Sequence, residues 1–304
     1  MSAIRADRLN LIATGASVVV ALTLVAAKLW ALGATGALSV AASLADSVLD
    51  LMVSLAGLAA VRYAQRPPDD DHAFGHSSAE DLAALGQSAF ILVSAGAIAV
   101  AAISRLGTAD SLTLANEGAG MIVMVLSIVL TLGLVTLQGR VARATGNRVV
   151  AADRLHYLGD LLPNLGAIAA LFAAARFGLY ALDSVIALAA AAMLAVGAVR
   201  IGAGAWDALM DRAAPDEMIA GIEELARDWP GLHGFHDLRT RTAGSRVFVN
   251  LHVEIDGNLT LERAHDIGAA LRHAIEDRYP QAEVIIHKDP VRHEKAPKTD
   301  LRGS

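Results

Sequence analysis

Two pairs of metal-ligating side chains lie four residues apart inside otherwise apolar stretches of the sequence. Asp46 and Asp50 form the first pair, and His156 and Asp160 form the second. On a helix, side chains at this spacing share one face, and within a bilayer such charged groups face the interior of a helix bundle. Three carboxylates and one imidazole could then make a tetrahedral cage for a divalent cation. An interhelical hydrogen-bond network is the alternative, which a single buried Asp would suit better than two matched pairs do.

A second group of candidate ligands lies in a short polar stretch after the first pair. Three consecutive aspartates are followed there by two histidines that are four residues apart. Asp69, His72 and His76 could hold a metal ion near the entrance of a pore. A solvated acidic turn would explain the same composition equally well, so the sequence leaves both interpretations open.

Histidines also occur on every predicted strand, and on the long helix, of the last third of the chain. His236, His252 and His287 lie on strands, His265 lies on the helix, and Asp289 shares a face of the third strand with His287. A single strand histidine is usually a polar surface residue, but one on each element favours a metal site. Because the chain contains no cysteine, any metal site must use nitrogen and oxygen ligands.

The elements that must position the first two groups are membrane helices. The chain has 304 residues, of which 55% are hydrophobic and 18% charged, whereas a soluble domain has about 25% charged residues. The mean hydropathy is +0.48. A membrane helix needs about 20 mostly apolar residues. Six stretches meet this requirement, at residues 9–33, 37–62, 82–105, 116–139, 149–175 and 180–203. We therefore predict a six-helix transmembrane bundle within a domain at 1–208.

The distribution of cationic residues predicts the orientation of this bundle. Ten arginines fall on the side that holds both termini, and only three cationic residues fall on the other side. By the positive-inside rule, both termini are expected in the cytoplasm. One of the three is Lys28, whose side chain is expected to extend toward the far interface. A chain with five spans, the alternative, would leave its C-terminal region outside the cell.

The last third of the chain is predicted to be a small cytoplasmic α+β domain at 209–290. Residues 211–304 carry more than half of the charged side chains. The hydrophobic pattern predicts helices at 215–228 and 260–279 and strands at 235–241, 246–256 and 283–288. This order is αββαβ, and the charged tail at 291–304 is expected to be flexible. The net charge of −6 excludes a nucleic-acid binder of the basic kind.

Together these segments resemble the cation diffusion facilitator family, most closely its bacterial zinc and ferrous-iron efflux branch. The resemblance covers residues 10–290 and rests on the two spaced pairs, the loop DDDHAFGHSSAE and the segments HDLRTR, NLHVEI and IIHKDP. It implies a homodimer of six-span protomers in the inner membrane, each with a metallochaperone-like cytoplasmic domain. It also implies export of a divalent metal ion in exchange for protons.

The resemblance further implies three metal sites. The transport site would consist of Asp46, Asp50, His156 and Asp160. The loop site would consist of Asp69, His72 and His76. The cytoplasmic site would hold two ions, one bound by His236, His252 and Asp289 and the other by His265, His287 and Asp289.

Two positions depart from the family pattern. Close relatives carry a lysine directly after the Gly-His of the loop, where it interlocks charges at the dimer interface, and this chain has Ser77 and Ser78 there. Asp211-Arg212 are still available for such an interlock. Lys288 stands between His287 and Asp289, so only its backbone carbonyl could bind a metal ion.

Three classes of function are compatible with buried metal ligands. A transporter driven by a proton gradient fits best, since no nucleotide-binding P-loop is present. A membrane-anchored metal sensor would not explain ionisable residues inside the spans. An intramembrane metalloenzyme would need an open metal position and a general base, typically in an HExxH segment, which the sequence lacks. The ligand types favour zinc as the ion, with iron(II), cadmium and manganese as alternatives.

Overall fold

A computed structural model of the protein describes residues 3–35, 38–106, 118–177 and 182–291. The predicted flexible tail therefore lies, apart from Val291, outside the described residues. Apart from Ala243–Ser245, which are grouped with the first unit, the chain divides after Met210 into two compact units. The first unit contains six long helices, α1 Ala3–Thr35, α2 Leu38–Ala64, α3 Ser78–Leu106, α4 Gly118–Thr145, α5 Arg148–Phe177 and α6 Leu182–Leu209.

Among the described residues, five helices are long and apolar enough to cross a membrane. Their apolar stretches are Arg5–Ala34, Ser43–Ala64, Ser78–Ser104, Val125–Thr145 and Ser184–Leu209. For the sixth long helix, α5, side chains are described only at residues 148–162 and 165, a part that carries Arg148, Asp153, Arg154 and Asp160. The expectation of six spans therefore stays a prediction, and it depends on α5.

Small residues allow the helices of the first unit to approach closely. α3 packs mainly against α6, α1 packs against α2 and α4, and α5 packs against α6, α4 and α3. A Cβ atom at Gly197 of α6 would lie 2.8 Å from a methyl group of Leu155 on α5. A Cβ atom at Gly202 would lie 2.6 Å from the hydroxyl oxygen of Ser88 on α3. Such contacts are typical of helix packing in lipid, where dispersion rather than hydrophobic burial joins the helices.

The second unit has the predicted αββαβ order. Its elements are α7 Asp216–Arg227, β1 Gly234–Ala243, β2 Arg246–Ile255, α8 Leu261–Arg278 and β3 Ala282–Pro290. The sheet has the strand order β1-β2-β3, and β2 and β3 are parallel. Thr260 caps α8, since its hydroxyl accepts a hydrogen bond from the Arg263 amide at 3.3 Å.

The core of the second unit is formed by one face of β2 and the apolar stripes of the two helices. Val249, Leu251 and Val253 are buried, as their alternation in the sequence predicts. Phe248 lies on the opposite face of β2, beside polar residues, and is nevertheless only 7% exposed. The Arg241 guanidinium lies 4.3 Å from the centre of the Phe248 ring and shields it.

Candidate metal centres

The first candidate centre joins α2 and α5. Nε2 of His156 lies 3.1 Å from Oδ1 of Asp50, and these side chains are only 9% and 16% exposed. Asp160, one turn further along α5, offers a carboxylate oxygen to the same group, whose ligand atoms all lie within 4.8 Å of one another. One imidazole and two carboxylates at these distances could share a single divalent cation.

Aromatic rings and a hydroxyl pair surround the His156 imidazole. The ring of Phe90 on α3 meets it edge-on, with ring centres 5.7 Å apart. The next residue, Tyr157, makes a 2.9 Å hydrogen bond between its hydroxyl and that of Ser54 on α2. These contacts hold α5 against α2 beside the site and limit the freedom of the imidazole.

Asp46 does not join this group. It lies one turn before Asp50 on α2, is exposed, and is absent from the set of ligand atoms within 4.8 Å. The structure thus brings together three of the four residues predicted for the transport site. The four-ligand cage stays a prediction, since it requires Asp46 to approach the other three side chains.

The structure adds two polar features to this region that the sequence interpretation did not assign to it. Lys28 of α1 donates hydrogen bonds to α2 on the same stretch that carries Asp46 and Asp50. Asp153, three residues before His156, is 2% exposed and accepts hydrogen bonds from Ser17 of α1 and Gln138 of α4. The signal for Asp153 was available, because an ionisable residue inside a predicted span marks a functional or structural site.

The second candidate centre is the turn before α3. Asp69 lies 3.1 Å from Nδ1 of His72 through one carboxylate oxygen and 3.2 Å from Nε2 of His76 through the other. The side chain of His76 is almost fully buried, beside the ring of Tyr63. The grouping supports the metal-site interpretation over a fully solvated turn, and occupation of the site stays a prediction.

Hydrogen bonds within this turn favour the ionised form of Asp69. Desolvation acts to raise the pKa of the Asp69 carboxyl, but hydrogen bonds from His72 outweigh it and hold this pKa below its usual range. The His72 amide donates to Oδ1 at 2.7 Å. A carboxylate that is already ionised is a ready metal ligand.

The third candidate centre lies on the sheet of the second unit, around Asp289. Its Oδ2 atom lies 3.0 Å from Nδ1 of His252 and 3.4 Å from Nε2 of His236. Its Oδ1 atom lies 3.3 Å from Nε2 of His287. The parallel register makes this possible, because His252 pairs with His287 and Glu254 pairs with Asp289 across β2 and β3.

The hydrogen bond from His252 also holds the pKa of the Asp289 carboxyl below its usual range, and the charges of the neighbouring histidines act in the same direction. His236, His252 and Asp289 form a compact set of potential ligands. His287 faces the other oxygen of Asp289, so the carboxylate could bridge two ions.

Two further residues complete the account of the third centre. His265 is exposed on α8 and does not belong to the compact set, so its predicted role as a ligand of the second ion stays a prediction. Lys288 points to the other side of the strand. A Cβ atom at Gly268 of α8 would overlap its Cε atom, so the lysine stem crosses α8 where the helix has no side chain. Its ammonium group is therefore directed away from the histidines.

Comparisons with known proteins cover most of the chain. Residues 15–210 match the model of the cation efflux transmembrane domain, and residues 214–291 match that of the cation efflux protein cytoplasmic domain. The chain therefore belongs to the cation efflux family. The second match indicates dimerisation and metal-ion binding by this part of the chain.

Individual relatives extend over nearly the whole chain. The cation-efflux pump FieF of Cronobacter sakazakii is 41% identical over 275 residues, 90% of this chain and 91% of the relative. The cation-efflux pump FieF of Pectobacterium atrosepticum is 42% identical over 284 residues, 93% of this chain and 94% of the relative. Among solved structures, the metal-bound C-terminal domain of the CzcD transporter from Thermotoga maritima is 26% identical, with a TM-score of 0.25, covering 26% of this chain and 93% of that one.

Family membership confirms the function class expected from the sequence. The protein is a multi-pass membrane transporter that exports divalent metal cations, and it is not an enzyme.

Proposed function

We propose that the protein exports zinc from the cytoplasm across the inner membrane in exchange for protons. The observation that carries this proposal is the Asp50–His156–Asp160 group between two helices of the bundle. Nitrogen and oxygen ligands without a thiolate suit zinc, and iron(II), cadmium and manganese are the competing ions. Six membrane spans, with both termini in the cytoplasm, agree with the arginine distribution.

Proton exchange would follow from the chemistry of the ligands. Imidazole and carboxylate groups bind metal only in their deprotonated forms, so a metal ion and protons compete for the same atoms. Protons that enter from the opposite side would then release the metal. The apparent affinity for zinc should fall as the pH decreases from about 7.5 to about 6, the range around the reference pKa of imidazole. An affinity that is independent of pH would contradict the exchange.

The test is uptake of zinc into proteoliposomes that contain the purified protein, with and without an imposed pH gradient. Asp160→Ala should abolish uptake, whereas Asp70→Ala, which removes an exposed loop carboxylate outside the three centres, should retain it. Zinc uptake at the wild-type rate by Asp160→Ala would refute the transport site. Competition with iron(II), cadmium and manganese in the same assay identifies the preferred ion.

The third centre supports a regulatory role in a homodimer. Residues 211–304 carry an excess of acidic side chains, so two copies of this part of the chain repel each other until bound zinc offsets part of that charge. On this proposal the cytoplasmic domains of the two protomers come together when zinc binds, and the centre senses metal and does not conduct it. The double variant His252→Ala/His287→Ala tests this role. If it loses all transport at saturating zinc although it is folded, the domain is instead part of the transport path.

A further inference from the structure

The ammonium group of Lys28 is attached to α2 within the membrane unit. After Arg8, Lys28 is the only charged residue among the described residues of α1. Its Nζ atom donates hydrogen bonds to the Ser47 hydroxyl at 2.6 Å and to the Ser43 carbonyl at 3.0 Å. The cation therefore does not simply extend from α1 toward an interface, as the sequence suggested, but is tied to the helix that carries Asp46 and Asp50.

The position of the ammonium along α2 is defined by its two acceptors. Ser47 lies three residues and Ser43 seven residues before Asp50, in the direction of the start of α2 at Leu38. With a rise of about 1.5 Å per residue, these acceptors lie about 4.5 and 10.5 Å from the level of Asp50. The opposite end of α2 leads into the loop of Asp69, on the expected cytoplasmic side. The ammonium thus lies on the side of the site toward which an exported ion must leave.

Among the described residues, both hydrogen-bond acceptors of the Lys28 ammonium are uncharged. A hydroxyl and a carbonyl orient the ammonium but carry no net charge. Ser43 stands three residues before Asp46, and Ser47 stands three residues before Asp50, so each acceptor lies about one turn from a carboxylate of the predicted transport site. An ammonium group cannot bind a metal ion, but from this position its charge acts on the carboxylates of the site.

We propose that Lys28 is the resident counter-cation of the transport site. Before a metal ion binds, its charge offsets part of the repulsion among the carboxylates. When a divalent cation is bound, the same charge repels it, which weakens binding and accelerates release. This inference rests on the proposed transport function and assigns to Lys28 control of metal affinity within that site.

The test compares two substitutions of the lysine. Lys28→Met removes the charge and keeps a side chain of similar length, whereas Lys28→Arg keeps the charge. One unit charge at roughly 8–10 Å from a divalent ion changes its affinity by about tenfold or more in a medium between water and protein interior. Lys28→Met should therefore lower both KM and kcat for zinc uptake, KM by about tenfold, and Lys28→Arg should remain close to the wild type.

Two controls separate charge from packing. Thr23→Val changes an exposed polar residue on the same helix, whose hydroxyl donates to the Val19 carbonyl of that helix, and should leave both constants unchanged. Equilibrium binding of radioactive zinc to the full-length protein in detergent reports affinity without transport. Subtracting the zinc that Asp160→Ala still binds isolates the transport site. In this assay Lys28→Met should bind zinc more tightly than the wild type, even if it transports zinc more slowly.

An unchanged or raised KM in Lys28→Met, with unchanged or weaker zinc binding, would overturn the proposal. Equal effects of Lys28→Met and Lys28→Arg would also overturn it, because charge would then not be the cause. Absence of zinc uptake and zinc binding in the wild-type protein would instead refute the proposed function, so the two failures are distinguishable.

Discussion

Asp153 is the residue whose substitution tests most directly how the bundle holds the transport site. Its Oδ2 atom accepts a hydrogen bond from the Ser17 hydroxyl at 2.5 Å and another from the Gln138 amide nitrogen at 2.7 Å. The three side chains belong to α5, α1 and α4 and are at most 2% exposed. His156 follows Asp153 by about one turn, so this hydrogen-bond network positions the part of α5 that carries the imidazole.

Asp153→Ala would remove the acceptor that two buried donors share. The Ser17 hydroxyl can still donate to the Ala13 carbonyl, whereas one N–H of the Gln138 amide would lose its partner. An unsatisfied buried group costs about 1–3 kcal/mol, so the free energy of unfolding should fall by about that amount. Asp153→Asn keeps an oxygen that can accept both hydrogen bonds. Its amide nitrogen would replace Oδ1, which has no hydrogen-bond partner among the described residues, so this variant should lose much less stability.

Unfolding by a denaturing detergent, followed by circular dichroism of the full-length protein in mild micelles, measures this difference. Zinc uptake should follow the same order, with a reduced kcat in Asp153→Ala and nearly normal uptake in Asp153→Asn. Thr136→Ala is a matched control on α4, since Thr136 is exposed and its hydroxyl donates to the Leu132 carbonyl of the same helix. Equal loss of stability in Asp153→Ala and Asp153→Asn would refute the reasoning, because the negative charge and not the hydrogen-bond network would then be needed.

Three further predictions concern the third metal centre. His252→Ala combined with His287→Ala should lower the sensitivity of transport to cytoplasmic zinc and weaken dimerisation, but transport at a high zinc concentration should remain. Flux assays measure the first effect and analytical ultracentrifugation measures the second. Unchanged sensitivity to zinc would contradict the regulatory role. Zinc at 100 times its dissociation constant should stabilise the second unit by about 2.7 kcal/mol. In the full-length protein, hydrogen exchange of the β2 and β3 amides should then become about hundredfold slower, and a chelator should reverse this slowing. Because the pKa of Asp289 is lowered in the folded state, the carboxylate contributes its full stabilisation above the reference pKa of about 3.9, and this contribution is lost as the pH falls through the lower folded pKa. In a carbon-13 NMR titration, His252→Ala should raise the pKa of Asp289. An unchanged pKa would show that the hydrogen bond from His252 is not the cause.

Local patterns predicted the elements of the second unit because each pattern reflects a short-range geometry. The alternation around Leu251 defines which side of β2 is buried, and the apolar stripe of α8 requires only the helical period. Phe248 escaped this reasoning, since the pattern could not indicate that Arg241 would cover its ring.

Local patterns in the sequence also predicted features of the membrane unit. Spacing alone put His156 and Asp160 on one face of a helix, and composition alone predicted apolar helices around them.

The sequence by itself determined which residues could bind metal, since ligand chemistry and helical or strand spacing are local properties. Only the tertiary structure decided which of them meet. Packing of α2 against α5 brings Asp50 to His156 and leaves Asp46 outside the group, and the parallel register of β2 and β3 sets His252 beside His287. Lys28 reaches α2 through a contact between residues 15 and 19 positions apart in the chain. No local period encodes such contacts, because they depend on the relative rotation and depth of two packed elements.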